Sequence, residues 1–170
     1  MRLLNVDTFK LEEFLNEELP VYATLSHRWG HHELTFQDID EQKAGPGPSL
    51  DKITGCCRVA KKAGIQWVRV DTCCIDKRSS SELTEAINSM FQWYRRAVQC
   101  FIYLGDVSDD GVDFANSNWF KRGWTLQELL ASELAVFFDA SWQKIGTKKE
   151  LVDKLPPSQA LEHCFWRPQI

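Results

Sequence analysis

A carboxylate and two tryptophans lie close together in one short stretch, and residues of these types could form a ligand pocket. Trp124 and Glu128 are four residues apart in a helix predicted over 124–132, so they share one helix face. Trp119 and Arg122 come just before this helix. A glutamate among core leucines either pairs with a nearby cation for structural reasons or faces a pocket, where its charge can stabilise a developing positive charge.

The composition indicates a soluble globular domain. The chain has 170 residues, of which 44% are hydrophobic and 26% charged, and its net charge is -4. This length is enough for one domain with a sizeable core. Basic residues form no run or stripe, so nucleic acid is not an expected partner. No apolar stretch approaches the roughly 20 residues of a membrane span, and the first residues lack a signal-peptide core. We therefore expect a cytoplasmic protein without membrane association.

The cysteines give no sign of a disulfide framework or a metal site. Six are present, including the adjacent pairs Cys56–Cys57 and Cys73–Cys74. Adjacent cysteines lack the CxxC spacing of zinc sites, and cytoplasmic thiols stay reduced. We expect these residues to be small buried hydrophobes and predict no metal site.

Strand and helix patterns alternate along the chain, which predicts an α/β fold. Short apolar runs predict strands at 21–25, 65–71, 100–104 and 134–138. Helices are predicted between them, which is typical of a parallel sheet covered on both faces. Two more helices are predicted at 11–15 and from Thr147 to Pro156, the second from a capping-box pattern at Thr147 and Glu150.

Polar clusters follow three of the predicted strands, at 26–30, 71–76 and 105–110. Ligands of open α/β sheets bind outside the carboxyl ends of the strands, so these clusters and the Glu128 helix should form one site. Neither a GxGxxG nor a GxxxxGK[ST] phosphate loop is present.

Several blocks in order carry a family resemblance: MRLLN at 1–5, YATLSHRWG at 22–30, DTCCIDK at 71–77 and RGWTLQEL at 122–129. They resemble the fungal heterokaryon incompatibility (HET) domain over residues 1–155. Residues 156–170 form a C-terminal tail, interpreted as a shortened end. The resemblance implies a role in nonself recognition, innate immunity and programmed cell death, with an upstream nonself-recognition receptor as a partner.

The HET family is in turn distantly similar to Toll/interleukin receptor (TIR) domains. The similarity implies a TIR-like (flavodoxin-like) parallel sheet of about four to five strands with helices on both faces. The TIR run of serine, tryptophan and then Glu-Leu resembles Ser117, Trp119 and Glu128-Leu129 here. In TIR domains with enzymatic activity, that glutamate is the catalytic residue of an NAD glycohydrolase that works when self-assembled. The resemblance therefore implies Glu128 as catalytic, NAD(P)+ as substrate without a further cofactor, and a homo-oligomer.

Nicotinamide cleavage is chemically compatible with a single acidic residue. The N-glycosidic bond breaks through an oxocarbenium-like state. The bound nicotinamide is a cationic pyridinium and departs as a neutral molecule, so no acid has to protonate the leaving group. One carboxylate could hold the ribose and stabilise the developing charge. Tryptophans could stack on the rings, and Arg28 could hold the pyrophosphate. The predicted substrate-binding residues are Ser26, His27, Arg28, Trp29, Gly30, Asp71, Cys74, Trp119, Arg122 and Trp124.

Three alternatives remain open from the sequence. Glu128 could form a structural ion pair with Arg122 or Lys121. Cys74, His27 and Asp71 all lie at the ends of predicted strands and could form a Cys–His–Asp nucleophilic triad. The domain could also be a non-enzymatic, self-associating adaptor that triggers cell death through partners, in which case Glu128→Gln would leave its signalling intact.

Overall fold

The computed structural model describes residues 1–15, 18–108 and 111–156. In chain order, the described strands are β1 (Arg2–Asn5), β2 (Leu11–Glu13), β3 (Tyr22–His27), β4 (Trp67–Val70), β5 (Gln99–Tyr103), β6 (Ala135–Phe138) and β7 (Lys144–Thr147). The α-helices within the same ranges are α1 (Phe36–Asp40), α2 (Pro48–Lys62), α3 (Ser80–Arg96) and α4 (Thr125–Ala131).

These strands form one mixed sheet with the order β2-β1-β4-β3-β5-β6-β7. The four central strands β4, β3, β5 and β6 are parallel, whereas β1, β2 and β7 pair antiparallel. The α/β class is therefore confirmed, but the sheet has seven described strands of mixed direction rather than four to five parallel ones. Two of the three additional strands, β2 and β7, are short and have few buried residues, so the sequence shows no strand pattern there.

The predicted helix at 11–15 is wrong, because Leu11–Glu13 pairs with β1 instead. Arg2 lies opposite Glu13 and Leu4 opposite Leu11. The side-chain oxygen of Asn5 accepts the backbone N–H groups of the next turn, at 3.0 and 3.1 Å. This turn aims the chain back along β1, so cross-strand pairing overrides a weak local helix propensity.

The helix predicted from Thr147 is also wrong. Thr147 ends β7, and between it and residue 156, the last one described, the only helical turn is a 3-10 turn at Val152–Lys154. The capping-box hydrogen bonds do form, because the Glu150 N–H donates to Thr147 Oγ1 at 3.2 Å and the Thr147 N–H to Glu150 Oε2 at 2.6 Å. They close a turn rather than start a helix. The predicted tail lies outside the described residues apart from its first residue.

Helices cover both faces of the sheet. They have to, because successive apolar residues of a strand point to opposite faces and both sets must be buried. Leu25 and Phe101 pack with Ile53 of α2 on one face. Ile102 and Phe137 pack on the other face with side chains of α3 and α4. The parallel strands have the spatial order β4-β3-β5-β6, so the chain runs from β3 to β4 on one side and then crosses to β5 on the other side of β3. Ligands of doubly wound sheets bind at such a switch point, here the carboxyl ends of β3 and β5.

Candidate functional site

Glu128 lies at this edge of the sheet and is almost completely buried, with 3% of its surface exposed. Its helix α4 packs against the core through Leu129, and this packing brings Glu128 over the end of β3. The Ser26 hydroxyl donates a hydrogen bond to Glu128 Oε2. Ser26 in turn accepts a hydrogen bond of 2.8 Å from the indole Nε1 of Trp119. Ser26 and Trp119 therefore orient the carboxylate rather than line the space in front of it.

The surroundings of Glu128 shift the pKa of its carboxyl group. The net effect raises this pKa from 4.5 to about 6, and burial is the largest cause. The hydrogen bond from Ser26 and the charge of Arg122 act in the opposite direction, while the charge of Asp71 raises the pKa further. Glu128 is thus mostly ionised at pH 7 but close to its titration range, as is usual for catalytic carboxylates.

Glu128 faces a pocket of about 460 Å³. One wall is apolar and comes mainly from α3 and the segment before it, with the side chains of Ile75, Leu83, Ala86, Ile87 and Met90. The rest of the lining is polar and aromatic and consists of Arg28, Trp29, Asp71, Lys77, Arg122, Trp124 and Glu128. The volume and the mixed lining are those of small-molecule sites.

Two half-exposed indoles lie at this pocket, those of Trp29 and Trp124, which are 47% and 46% exposed. Trp29 Nε1 donates a hydrogen bond of 3.0 Å to Asp71 Oδ2. The Lys77 ammonium lies 3.5 Å from the centre of the Trp29 ring. Both contacts fix the Trp29 ring, and the Trp124 indole provides a second aromatic surface for a planar ligand.

The structural ion pair of Glu128 does not form among the described residues. Arg122 donates from its guanidinium to the backbone oxygen of His27. Lys121 donates to the Asn118 side chain at 2.9 Å. Arg122 still adds positive charge near Glu128, and its own backbone oxygen accepts a hydrogen bond of 2.6 Å from Thr125. The burial of Glu128 is therefore compensated mainly by Ser26 and not by an ion pair.

His27 was a predicted substrate-binding residue, but its side chain is completely buried behind the pocket. Its ring nitrogens lie 4.0 Å from Asp71 Oδ1 and 3.8 Å from Glu33 Oε2. Burial, followed by the charges of Lys52 and other nearby cations, holds the pKa of His27 well below its usual value. The His27 imidazole is therefore buried and neutral, and it is not part of the pocket lining.

Cys74 and Gly30 also lie away from Glu128. Cys74 is buried, and its sulfur accepts the Val70 N–H at 3.3 Å. No contact joins Cys74 to His27 in the described part of the chain, so the structure gives no support to a Cys–His–Asp triad. Gly30 donates its N–H to Glu33 and lines a neighbouring pocket. Of the predicted residues, the pocket brings together Arg28, Trp29, Asp71, Arg122, Trp124 and Glu128.

Some pocket residues were not predicted. Lys77 belongs to the DTCCIDK block, and its position after a strand end was the available signal. Leu83, Ile87 and Met90 recur on one face of α3, a pattern that normally indicates core. Here Ile87 is 46% exposed, and this part of the face forms a pocket wall. Apolar periodicity alone cannot distinguish a core face from the wall of a pocket.

Fold and site together define an α/β domain with a carboxylate-bearing pocket at the switch point of its sheet. Residues 22–116, more than half of the chain, match the family model "Heterokaryon incompatibility protein (HET)", so the chain belongs to this family. The matched segment contains Ser26, Trp29 and Asp71 and ends before Glu128.

The chain is also similar to the vegetative incompatibility protein HET-E-1 of Podospora anserina. The two are 43% identical over 146 residues, which cover 79% of this chain and 11% of that protein. The chain thus spans only a small part of the length of this curated relative. The comparison with solved structures gave no match. Among the described residues, no helix is both long and apolar enough to cross a bilayer.

Proposed function

We propose that this HET domain is an NAD(P)+ glycohydrolase that releases nicotinamide when self-assembled and thereby triggers cell death in incompatibility. The observation that carries the proposal is Glu128. Its carboxylate is buried from bulk solvent, is oriented by Ser26 and lines a pocket with two aromatic surfaces. A buried acid without an ion pair among the described residues is costly to the fold, which favours a functional reason for its presence.

In the proposed reaction, the bond between the ribose C1′ and the nicotinamide nitrogen breaks. Its electron pair stays with nicotinamide, which becomes neutral, and the ribose acquires oxocarbenium character. The ionised Glu128 stabilises this positive charge and holds the ribose hydroxyls. Water then adds to C1′ and loses a proton, so the products are ADP-ribose, nicotinamide and one proton. The reaction needs no cofactor or metal.

The other pocket residues suit the two ends of this substrate. Trp29 and Trp124 offer ring faces for the nicotinamide, and the apolar wall of α3 excludes water from it. Arg28 is exposed, and its side chain forms no ion pair within the described ranges. Its guanidinium is thus free to bind the pyrophosphate in a bidentate manner.

The proposal is tested by the rate of nicotinamide release from NAD by the purified, folded domain. Glu128→Gln should lower kcat by about 10²- to 10³-fold, the range seen when one transition-state contact is removed. Glu133→Gln is the matched control, since Glu133 is exposed on the turn after α4 and should keep the full rate. Equal rates in Glu128→Gln and the wild type would contradict the proposed role.

A non-enzymatic adaptor is the second candidate, and the exposed apolar side chains favour it. Leu83, Ile87, Trp124 and Leu130 are between 38% and 46% exposed, and they belong to or adjoin α3 and α4. Such a surface suits association with further copies or with an upstream nonself-recognition receptor. If the domain is an adaptor, the Glu128→Gln protein should still trigger cell death in a host cell. If it is a glycohydrolase, the Glu128→Gln protein should no longer trigger cell death.

We further propose that the domain acts in the cytoplasm, where NAD and reduced thiols are both available. All five cysteines in the described ranges are buried and free. Their state agrees with a reducing compartment.

A further inference from the structure

A second pocket, of about 480 Å³, lies on the other side of Trp29. Arg28 and Trp29 line both pockets, so the two spaces adjoin along one shared wall. The second pocket extends toward the start of α2 and the end of β5. Together, the two pockets offer two compartments of nearly equal size along the carboxyl edge of the sheet.

The second pocket has a different chemical character from the first. His31 and His32 line it, and both are exposed on the loop that follows Arg28. Lys52 also lines it, but its ammonium binds Glu33 at 2.5 and 2.7 Å, so its charge is already compensated. The Asp106 carboxylate lines the pocket too, and it accepts hydrogen bonds from the Ser117 hydroxyl at 2.6 Å and the Asn118 N–H at 2.7 Å. The lining side chains that can donate hydrogen bonds to an anion are therefore the Arg28 guanidinium and the two imidazoles.

One lining residue of the second pocket, Tyr103, presents a fixed aromatic ring. Tyr103 stacks on the Trp142 ring with a centroid distance of 4.8 Å, and its hydroxyl donates to the Ala140 oxygen at 3.1 Å. A ring held at both its face and its hydroxyl provides a preformed surface for a planar group. The shared wall is fixed as well, because Trp29 is bonded to Asp71 and covered by Lys77.

We propose that this second pocket binds the adenosine phosphate half of the substrate, so that the domain selects a dinucleotide over a nicotinamide mononucleotide or nucleoside. The inference rests on the proposed function of the first pocket. The pyrophosphate lies at Arg28 between the pockets, and the imidazoles of His31 and His32 donate N–H groups to phosphate oxygens. The adenine occupies the space in front of Tyr103.

The first test compares nicotinamide release from NAD, nicotinamide mononucleotide and nicotinamide riboside. We expect kcat/KM for NAD to exceed that for the riboside by about 10²-fold, since two or more charge-assisted hydrogen bonds are added. The double substitution His31→Ala/His32→Ala should lower kcat/KM for NAD by about tenfold, and that for the riboside by less than twofold. Equal kcat/KM for all three compounds would overturn the proposal and leave the glycohydrolase intact.

The second test does not depend on catalysis. ADP, which lacks the nicotinamide half, should bind the Glu128→Gln protein in titration calorimetry, and His31→Ala/His32→Ala should weaken this binding about tenfold. Lys43→Ala is the control, because Lys43 is exposed, pairs with Glu41 and lines neither pocket. Absence of ADP binding, or binding that the histidine substitutions leave unchanged, would overturn the proposed role of the second pocket, even if NAD were hydrolysed. If ADP binds as expected but none of the three compounds is cleaved, the glycohydrolase fails and the nucleotide pocket stands.

Discussion

At the scale of single residues, the central feature is the set of opposing effects on the pKa of Glu128. Burial raises the pKa of this carboxyl group, and a serine hydroxyl and a guanidinium partly offset the effect. The result is an acid that titrates near pH 6 in a pocket that also contains Asp71. This balance makes both the activity and the stability of the domain depend on pH in ways that can be measured.

Nicotinamide release should increase with pH through a midpoint near 6, because only the ionised Glu128 stabilises a positive charge. Asp71→Asn should move this midpoint to lower pH, since the charge of Asp71 helps to raise the pKa of Glu128. The measurement is kcat between pH 5 and pH 8 for both proteins, with saturating NAD. A kcat that falls or stays constant as the pH rises through this range would contradict the assigned protonation state.

Glu128→Gln should stabilise the folded domain at pH 7. A carboxyl group with a raised folded-state pKa costs stability once the pH exceeds its unfolded value of 4.5, and the cost is complete above 6. Glutamine avoids this cost and can still accept the Ser26 hydrogen bond. We expect a gain of about 2 kcal/mol at pH 7 that disappears below about pH 4.

Urea unfolding of both proteins at the two pH values measures this difference. Glu133→Gln should change the free energy of unfolding by less than about 0.5 kcal/mol, as surface substitutions usually do. A loss of stability in Glu128→Gln at pH 7 would mean that the carboxylate contributes to the fold, and the functional interpretation would lose its physical basis.

Six of the residues named from the sequence line one pocket in the structure, but the sequence did not show how they contact one another. Trp124 and Glu128 share a helix face, and this could be predicted from their spacing. The hydrogen bonds that orient Glu128 join Ser26 to residues 93 and 102 positions away. Nothing local marks such pairs, so Ser26 and Trp119 were expected to touch substrate, whereas they hold the carboxylate.

At the scale of secondary-structure elements, the buried parallel strands were predictable and the short outer strands were not. Every residue of β3 and β6 is buried, and these strands are apolar or β-branched apart from Ser26 and His27 at the end of β3. By contrast, β2 and β7 have few buried residues and depend on pairing with a neighbouring strand. The sequence of β2 carries no strand pattern, which explains the helix predicted in error at 11–15. The other helix was predicted from the capping-box residues Thr147 and Glu150, whose hydrogen bonds close a turn instead.

The contact between α2 and the turn before β7 gives a test at this scale. A Cβ at Gly55 would lie 2.1 Å from Trp142 Nε1, so Gly55→Ala forces the indole to move. Trp142 also supports Tyr103 in the second pocket. Overpacking of this kind costs about 1–3 kcal/mol, and we expect a loss in that range in urea unfolding.

Gly45→Ala is the matched control, because a Cβ there meets nothing within 4 Å. Its free energy of unfolding should stay within about 0.5 kcal/mol of the wild type. If Gly55→Ala also left the free energy of unfolding unchanged, the packing of α2 against Trp142 would be looser than the structure shows.

At the scale of the whole molecule, the carboxyl edge of the sheet carries both pockets, and α3 and α4 present exposed apolar side chains beside one of them. Ile87 and Trp124 line the Glu128 pocket and are also about half exposed. A second copy that covered these side chains would close the pocket and exclude water from the reaction. The proposed assembly and the proposed catalysis therefore involve the same surface.

The most direct test of the account is the number of nicotinamide molecules that each folded protein molecule releases from NAD, measured over a wide range of protein concentration. We expect many turnovers, a rate per protein that rises with protein concentration, and a loss of about 10²- to 10³-fold in Glu128→Gln. No release at any concentration from protein shown to be folded, or equal release from Glu128→Gln, would contradict the assignment of Glu128 as the catalytic residue.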